Sequence, residues 1–292
     1  MSPSLAIHTT THKSSGASIQ IHPLGATLIS YKTNGSDVLF CSKQALMDGS
    51  KPIRGGVPLV FPNFGPPKQG DMPQHGYARR NVWTCVKEYD TEAAAGAVWE
   101  LDPSAVKDGL GSQTVSPCTL RYTVEFSAKQ ITTTITVCNT TAAVPFQTLL
   151  HTYYTVENAL DATQCFVKGL QGYAVTDKVS PSVVGPIGEA IVAIKAETDC
   201  IYSPPAGTKD VEVTIGTGKG RTVSMVAKGV VNGESVPVSC VVWNPYIEKA
   251  AALGDFGNEE YKTMICVEPG ILGDDAVVAA GKEASLTQII TL

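Results

Sequence analysis

Apolar and polar residues alternate along most of this chain. Leu120, Tyr122, Val124 and Phe126 share one face of a strand, with Arg121, Thr123 and Glu125 on the other. Ile131, Thr133, Ile135 and Val137 keep the same period, as do Val211, Val213 and Ile215, and Ile19 and Ile21. A period of two predicts strands with one buried face. Roughly 15 to 20 segments follow it, punctuated by Gly, Pro, Asn and Asp. Helical signals are short: residues 43–47 and 246–253 predict a turn or two each. No alternation of strand and helix marks a parallel α/β sheet. The pattern predicts an all-β protein, a large antiparallel sandwich that presents ligands to the concave face of a sheet. Residues 102–113 and 177–186 read as loops, and no linker divides the chain, so residues 1–292 are expected to form one domain.

Composition narrows the reading. Charged residues are 17% of the chain, too few for a coiled coil or a disordered polymer, while Gly 27 and Pro 18 fit many turns. The net charge of −5, with no Lys/Arg block, gives nucleic acid no electrostatic foothold. No apolar run is long enough for a membrane helix, and Met1 to Thr11 lack the apolar stretch of a signal peptide. The expected location is therefore the cytoplasm, and the sequons at Asn34 and Asn139 read as coincidences. Eight scattered cysteines, with no Cys-x-x-Cys, predict free thiols in a reducing compartment.

Three motif matches mislead. Val192-Ala193-Ile194-Lys195 and Asp255-Phe256-Gly257 imitate kinase signatures, but the glycine-rich and His-Arg-Asp loops are missing. Residues 216–220, Gly-Thr-Gly-Lys-Gly, lie between two alternating runs and predict a hairpin turn, not a phosphate loop.

Histidine is scarce. His8, His12 and His22 fall in polar sequence and are expected at the surface. His75 follows Gln74 and precedes Gly-Tyr-Ala-Arg79. His151 sits in the apolar Leu-Leu-His-Thr-Tyr-Tyr. An imidazole there is either a satisfied core residue or a proton carrier tuned by burial and a nearby carboxylate. Glu268, in Cys-Val-Glu-Pro-Gly, ends an apolar strand and is either an ion-pair partner or a general base. Arg54 precedes Gly-Gly-Val-Pro-Leu-Val-Phe-Pro, and with Arg79 it offers forked donors for phosphate or sugar hydroxyls. Asp199 enters a strand behind Glu197-Thr198.

In order, Arg-Gly-Gly-Val-Pro-Leu-Val-Phe-Pro, Gln-His-Gly-Tyr-Ala-Arg, His-Thr-Tyr, Glu-Thr-Asp, Val-Val-Trp-Asn-Pro and Val-Glu-Pro-Gly resemble the aldose 1-epimerase (mutarotase) superfamily, most closely its glucose-6-phosphate 1-epimerase branch. The resemblance implies a galactose-mutarotase-like β-supersandwich and interconversion of the α and β anomers of a hexose 6-phosphate. It implies His151 as general acid and Glu268 as general base, with Arg54, Gln74, His75, Arg79 and Asp199 binding substrate. It implies no cofactor, no metal, and a small sugar phosphate as partner; a monomer is the default. An epimerase for free hexoses and a non-catalytic carbohydrate-binding sandwich are the alternatives.

Overall fold

The computed structural model describes residues 5–292 apart from 68–69, 139, 189–190 and 274–275. Two large antiparallel sheets dominate. The ten-stranded sheet runs, in spatial order, Ile191–Val192, Cys165–Lys168, Val211–Gly218, Arg221–Val231, Ala284–Thr291, Gln130–Cys138, Thr119–Phe126, Ala95–Leu101 and Thr84–Asp90, with Glu234–Val236 added on Arg221–Val231. The eight-stranded sheet runs Ser182–Val184, Ala174–Asp177, Thr198–Ser203, Ser239–Asn244, Met264–Ile271, Thr148–Leu150 and Leu59–Val60, and Tyr153–Thr155 pairs with Met264–Ile271 beside Thr148–Leu150. A four-stranded N-terminal sheet, His8–Thr11 to Ser36–Asp37, and a short pair, Val144–Pro145 with Val277–Val278, complete the strands.

The alternation predicts these faces correctly. Leu120, Tyr122, Val124 and Phe126 are all buried, and Glu125 between them is exposed. The eight-stranded sheet is different, because both of its faces are covered. Leu59, Leu150, Tyr154, Cys240, Val242, Ile265 and Val267 belong to the main core between the sheets. Their neighbours Val60, Leu149, Tyr153, Val241, Trp243 and Cys266 belong to a second, smaller core on the opposite face, with Phe40, Phe256 and Tyr261. The strand Met264–Ile271 is buried along its full length, which is why it reads as an apolar run without alternation.

One α-helix occurs among the described residues, Tyr246–Ala252, within the expected 246–253. It starts where the Asn244 side chain accepts a hydrogen bond from the Tyr246 amide (2.9 Å) and donates to the Tyr261 and Met264 carbonyls (2.8 and 2.9 Å). The Trp-Asn-Pro motif is thus a strand end and a helix start held by one buried amide. The expected helix at 43–47 is not formed. Glu260 takes hydrogen bonds there from the Ser42 hydroxyl (2.6 Å) and the Lys43 amide (3.0 Å), fixing an irregular turn. The expected loop at 177–186 contains a hairpin between Ala174–Asp177 and Ser182–Val184. Its turn forms because the Asp177 carboxylate accepts from the amides of Val179 and Ser180. Residues 216–220 make the predicted hairpin turn, with positive φ at Gly218, Lys219 and Gly220. Asn34 also lies in a turn of positive φ; Asn139 falls outside the described residues.

The N-terminal histidines correct an expectation. His12 and His22 are buried, at 3% and 1% exposure. His12 bonds the Ser15 hydroxyl and the carbonyls of Thr91 and Glu92. His22 accepts from the Leu24 amide and faces the Met47 carbonyl. Both serve neighbouring turns as polar struts, so polar flanking sequence did not mean exposure. His8 is half-buried, 2.6 Å from a Glu88 oxygen.

The Arg54-Gly55-Gly56 segment passes hard against the strand Thr27–Thr33. At Gly56, φ is +65°, and an added Cβ would stand 2.0 Å from the Leu28 carbonyl oxygen. Glycine is required there both for its backbone conformation and for the approach. Gly56→Ala is therefore expected to destabilise the protein by about 2–4 kcal/mol, read from the urea midpoint. A midpoint matching the parent would show that the contact with Leu28 relaxes freely.

Candidate active site

Antiparallel register sets one row of side chains across the eight-stranded sheet: Asp199 opposite Trp243, Trp243 opposite Cys266, Cys266 opposite Tyr153. The adjacent row on the same face carries Ile201, Val241 and Glu268. His151 enters beside Glu268, because the chain breaks from the sheet between Thr148–Leu150 and Tyr153–Thr155. The break is held by backbone bonds from His151 N to Pro58 O (3.1 Å), Thr152 N to Leu150 O (2.8 Å) and Val267 N to Thr152 O (3.1 Å). Behind it, Gln288 of the ten-stranded sheet is wholly buried. Its amide oxygen accepts from the hydroxyls of Thr152 (2.9 Å) and Thr133 (3.4 Å), and its amide nitrogen donates to Tyr154 (3.2 Å).

The result is a pocket of about 160 Å³. Arg54, Gln74, His75, His151, Asp199 and Glu268, six of the seven expected residues, line it. Arg79 does not. It stands behind Gln74, donating to that residue's carbonyl (2.9 Å), and its Nε is buried without a partner. Lys178 and Lys249 also line the pocket and were not expected. Lys178 lies 3.5 Å from Asp199 and over the ring of Phe64 at 4.7 Å, while Lys249 pairs with Glu197 at 2.7 Å. Arg54 makes a forked contact with Asp255, at 3.2 and 3.3 Å. The acid of the discarded Asp-Phe-Gly match is thus the partner of an expected site residue, a role with no signal in its local sequence. The lysines sit in ordinary polar segments, and only the fold brings them here.

His151 stacks on Tyr153 (centroids 4.9 Å apart, planes 13° apart) and meets His75 and Trp243 edge-on at 5.9 and 6.0 Å. Its Nδ1 is 3.4 Å from Glu268 Oε1. That is within reach of electrostatic attraction, but the alignment is not that of a hydrogen bond, and Nδ1 and both Glu268 oxygens are buried without a hydrogen-bond partner. With Arg79 Nε they make four of the eight such atoms among the described residues. Unmatched buried polar groups are costly, so three of them on the facing side chains of His151 and Glu268, with a fourth just behind the pocket wall, mark a functional site.

Burial pushes His151 well below its ordinary range, and the nearby charges of Arg79, Arg54 and Lys178 push the same way. His75 is held low by burial, with Arg79 the leading charge. Burial pushes Glu268 well above the usual carboxylate range, helped by Asp199 and opposed by Lys178 and Arg79. Burial also lowers Arg79 to about 10, so it stays cationic at neutral pH. The pair His151–Glu268 can hold one proton between two weakly solvated groups and pass it on with little change in total charge.

The sequence pattern of the aldose 1-epimerase family matches residues 7–291. The chain belongs to the aldose 1-epimerase family. A Cenchrus ciliaris protein named "Putative glucose-6-phosphate 1-epimerase" is 29% identical over 272 residues, covering 90% of this chain and 78% of its own. An Escherichia coli K12 protein of the same name is 28% identical, covering 91% and 84%. The crystal structure of a "putative mutarotase" from Salmonella typhimurium superposes with a TM-score of 0.75 at 23% identity, over 94% of this chain and 86% of that one. The fold is therefore of the galactose-mutarotase type, as the sequence resemblance implied.

The Gln288 network leads to a stability prediction. Gln288→Leu removes one acceptor and one donor that three buried hydroxyls use, and leaves Thr152 only its longer bond to the Leu150 carbonyl (3.3 Å). A loss of about 1–3 kcal/mol is expected from urea unfolding, and a variant as stable as its parent would show that the hydroxyls find other partners.

Proposed function

We propose that this epimerase-family chain interconverts the α and β anomers of D-glucose 6-phosphate, with His151 and Glu268 as its proton-transfer pair. The observation that carries the reading is that pair, 3.4 Å apart and buried, with Nδ1 and both carboxylate oxygens free of hydrogen bonds. Ring opening removes a proton from the C1 hydroxyl and delivers one to the ring oxygen. Both oxygens are bonded to the same carbon, so the groups serving them must themselves be neighbours, as these are. Glu268 as carboxylate takes the hydroxyl proton, and His151 as imidazolium protonates the ring oxygen. The open-chain aldehyde then faces a neutral imidazole and a neutral carboxyl. Rotation about C1–C2 turns the other face of the aldehyde, and the same two groups return the protons in reverse.

The two protonation patterns contain the same number of protons. Burial favours the neutral one, which belongs to the open-chain intermediate, so the pocket lowers the energy of the species that is scarce in water. Arg54, Gln74, His75, Arg79 and Asp199 are proposed to bind the sugar phosphate. Support comes from the pocket lining for all but Arg79, and from the unpartnered Nε for Arg79. The relatives' names favour a phosphorylated hexose. Arg54, Lys178 and Lys249 around the pocket favour it too: each now faces a carboxylate, and each can turn its N–H donors to a phosphate. We further propose a cytoplasmic monomer of one domain. All eight cysteines are free thiols, as a reducing compartment keeps them, and no described helix is long and apolar enough to cross a membrane.

NMR of freshly dissolved α-glucose 6-phosphate tests the activity directly. Accelerated equilibration is expected, with a smaller effect on free glucose and galactose. His151→Asn and Glu268→Gln should each lower kcat by about 10²-fold or more while the protein still folds; a folded variant with most of its activity removes the assignment. At the acid limb of the pH profile the pair gains a second proton, which burial and the Arg79 and Arg54 charges resist, so this limb should lie below the ordinary histidine value of 6.5. At the alkaline limb the pair loses its last proton, which burial and Asp199 resist and Lys178 and Arg79 favour, so that limb should lie well above the ordinary carboxylate range. A plateau in kcat/KM bounded by two limbs is expected, and a profile with a single limb would count against a shared proton.

Arg54→Gln should raise KM for glucose 6-phosphate by roughly 10- to 150-fold, the worth of one charge-assisted hydrogen bond, with much less effect on free glucose. Equal losses on both substrates would show that Arg54 holds the ring or the fold.

A further inference from the structure

We propose that His151, Cys266 and Glu268 form a binding site for a borderline-soft divalent cation, Zn²⁺ above all, and that its occupation shuts the pocket down. One ring nitrogen of His151, the Cys266 Sγ and one Glu268 oxygen all lie within 4.8 Å of one another. Cys266 and Glu268 are two residues apart on one buried strand, so both side chains leave the same face. His151 reaches them from the adjacent break. The 3.4 Å between His151 Nδ1 and Glu268 Oε1 is about the separation of two ligands on a tetrahedral zinc with bonds of about 2.0–2.2 Å. Shifts of roughly 1 Å bring Sγ to its own bonding distance.

The donor atoms are also uncommitted. Nδ1 and both carboxylate oxygens are already desolvated and have no hydrogen-bond partner, so a cation displaces no protein contact. A mixed nitrogen, sulfur and oxygen set suits Zn²⁺ or Cd²⁺. Mg²⁺ and Ca²⁺ favour oxygen ligands alone. Three protein ligands leave a fourth position on the pocket side, since His151 and Glu268 line the pocket. On binding, the thiol of Cys266 gives its proton to solvent and ligates as thiolate; a protonated Glu268 does the same. The binding claim stands on this geometry. The inhibition claim rests on the proposed proton-transfer role, because a metal holding both groups leaves neither free to carry a proton.

The test uses the full chain, reduced, with Cys266→Ser and Cys266→Ala beside it. Cd²⁺ titration should produce a thiolate-to-metal absorbance band in the ultraviolet at one equivalent, and both variants should lose it. Zn²⁺ should inhibit the anomerisation of glucose 6-phosphate, with full recovery on adding EDTA. Relative to each variant's own metal-free rate, the half-inhibitory Zn²⁺ concentration should rise by about tenfold or more. An unchanged band in both variants would place the metal on other cysteines and overturn the site. Inhibition equally strong without Cys266 would overturn it as well. If the chain does not anomerise the sugar at all, the proposed function fails, and the Cd²⁺ band still decides the metal site.

Discussion

Everything at the pocket depends on one carboxyl group, Glu268, set in the middle of a buried strand with neither oxygen hydrogen-bonded. An ionised carboxylate in such a place would cost several kcal/mol if nothing answered its charge. Two features of the fold keep the group there. The strand is paired along both edges, to Ser239–Asn244 on one side and to Thr148–Leu150 and Tyr153–Thr155 on the other, so the backbone cannot turn the side chain to solvent. An imidazole stands 3.4 Å away, so the charge can be relieved by a proton instead of by water. The stability lost at this point is stability the two cores have to supply.

The sheet-to-sheet arrangement follows from that demand. The eight-stranded sheet needs one face for the main core and the other for the site, so it is apolar on both. Polar atoms that cross between the sheets do so as a bonded set: Gln288 ties Thr133, Thr152 and Tyr154 together. That set is anchored next to His151. It fixes the residue after the catalytic candidate to the opposite sheet, and the stacking on Tyr153 fixes the ring itself. Rigidity of this kind matters for a group that must hold its place to a fraction of an ångström.

Sequence alone carried the strands with one buried face, because alternation is a local property: residues 120–126 declare their inward set without reference to anything else. Glu268 and His151 were visible as polar residues in apolar runs. Neither their separation nor the break at 151–152 was visible, since the break is made by contacts with Pro58, Val267 and Gln288, each distant in sequence. His12 and His22 misled for the same reason. Their burial comes from turns at Thr91 and Met47 that fold over them. Asp255 and Lys178 gained meaning only from what they meet, Arg54 and Asp199. Charges recruited through tertiary contact leave no periodic trace.

The cations around the pocket do not act alike on the two members of the pair. Arg79 bears on both His151 and Glu268, whereas the charge of Arg54 bears chiefly on His151. Neutralising Arg54 would therefore act first on the imidazole and ease its protonation. On the proposed reading, a phosphate dianion held by Arg54 does this as the substrate arrives. Its charge moves the pair toward imidazolium and carboxylate, the pattern the closed ring requires, against a pocket that otherwise favours the neutral form. The substrate's remote charge would then set the proton for the first step, and burial would stabilise what that step produces. A free hexose brings no such charge. It would meet a pair still biased toward the neutral pattern, and so would have to supply from ring contacts alone what the phosphate supplies through Arg54.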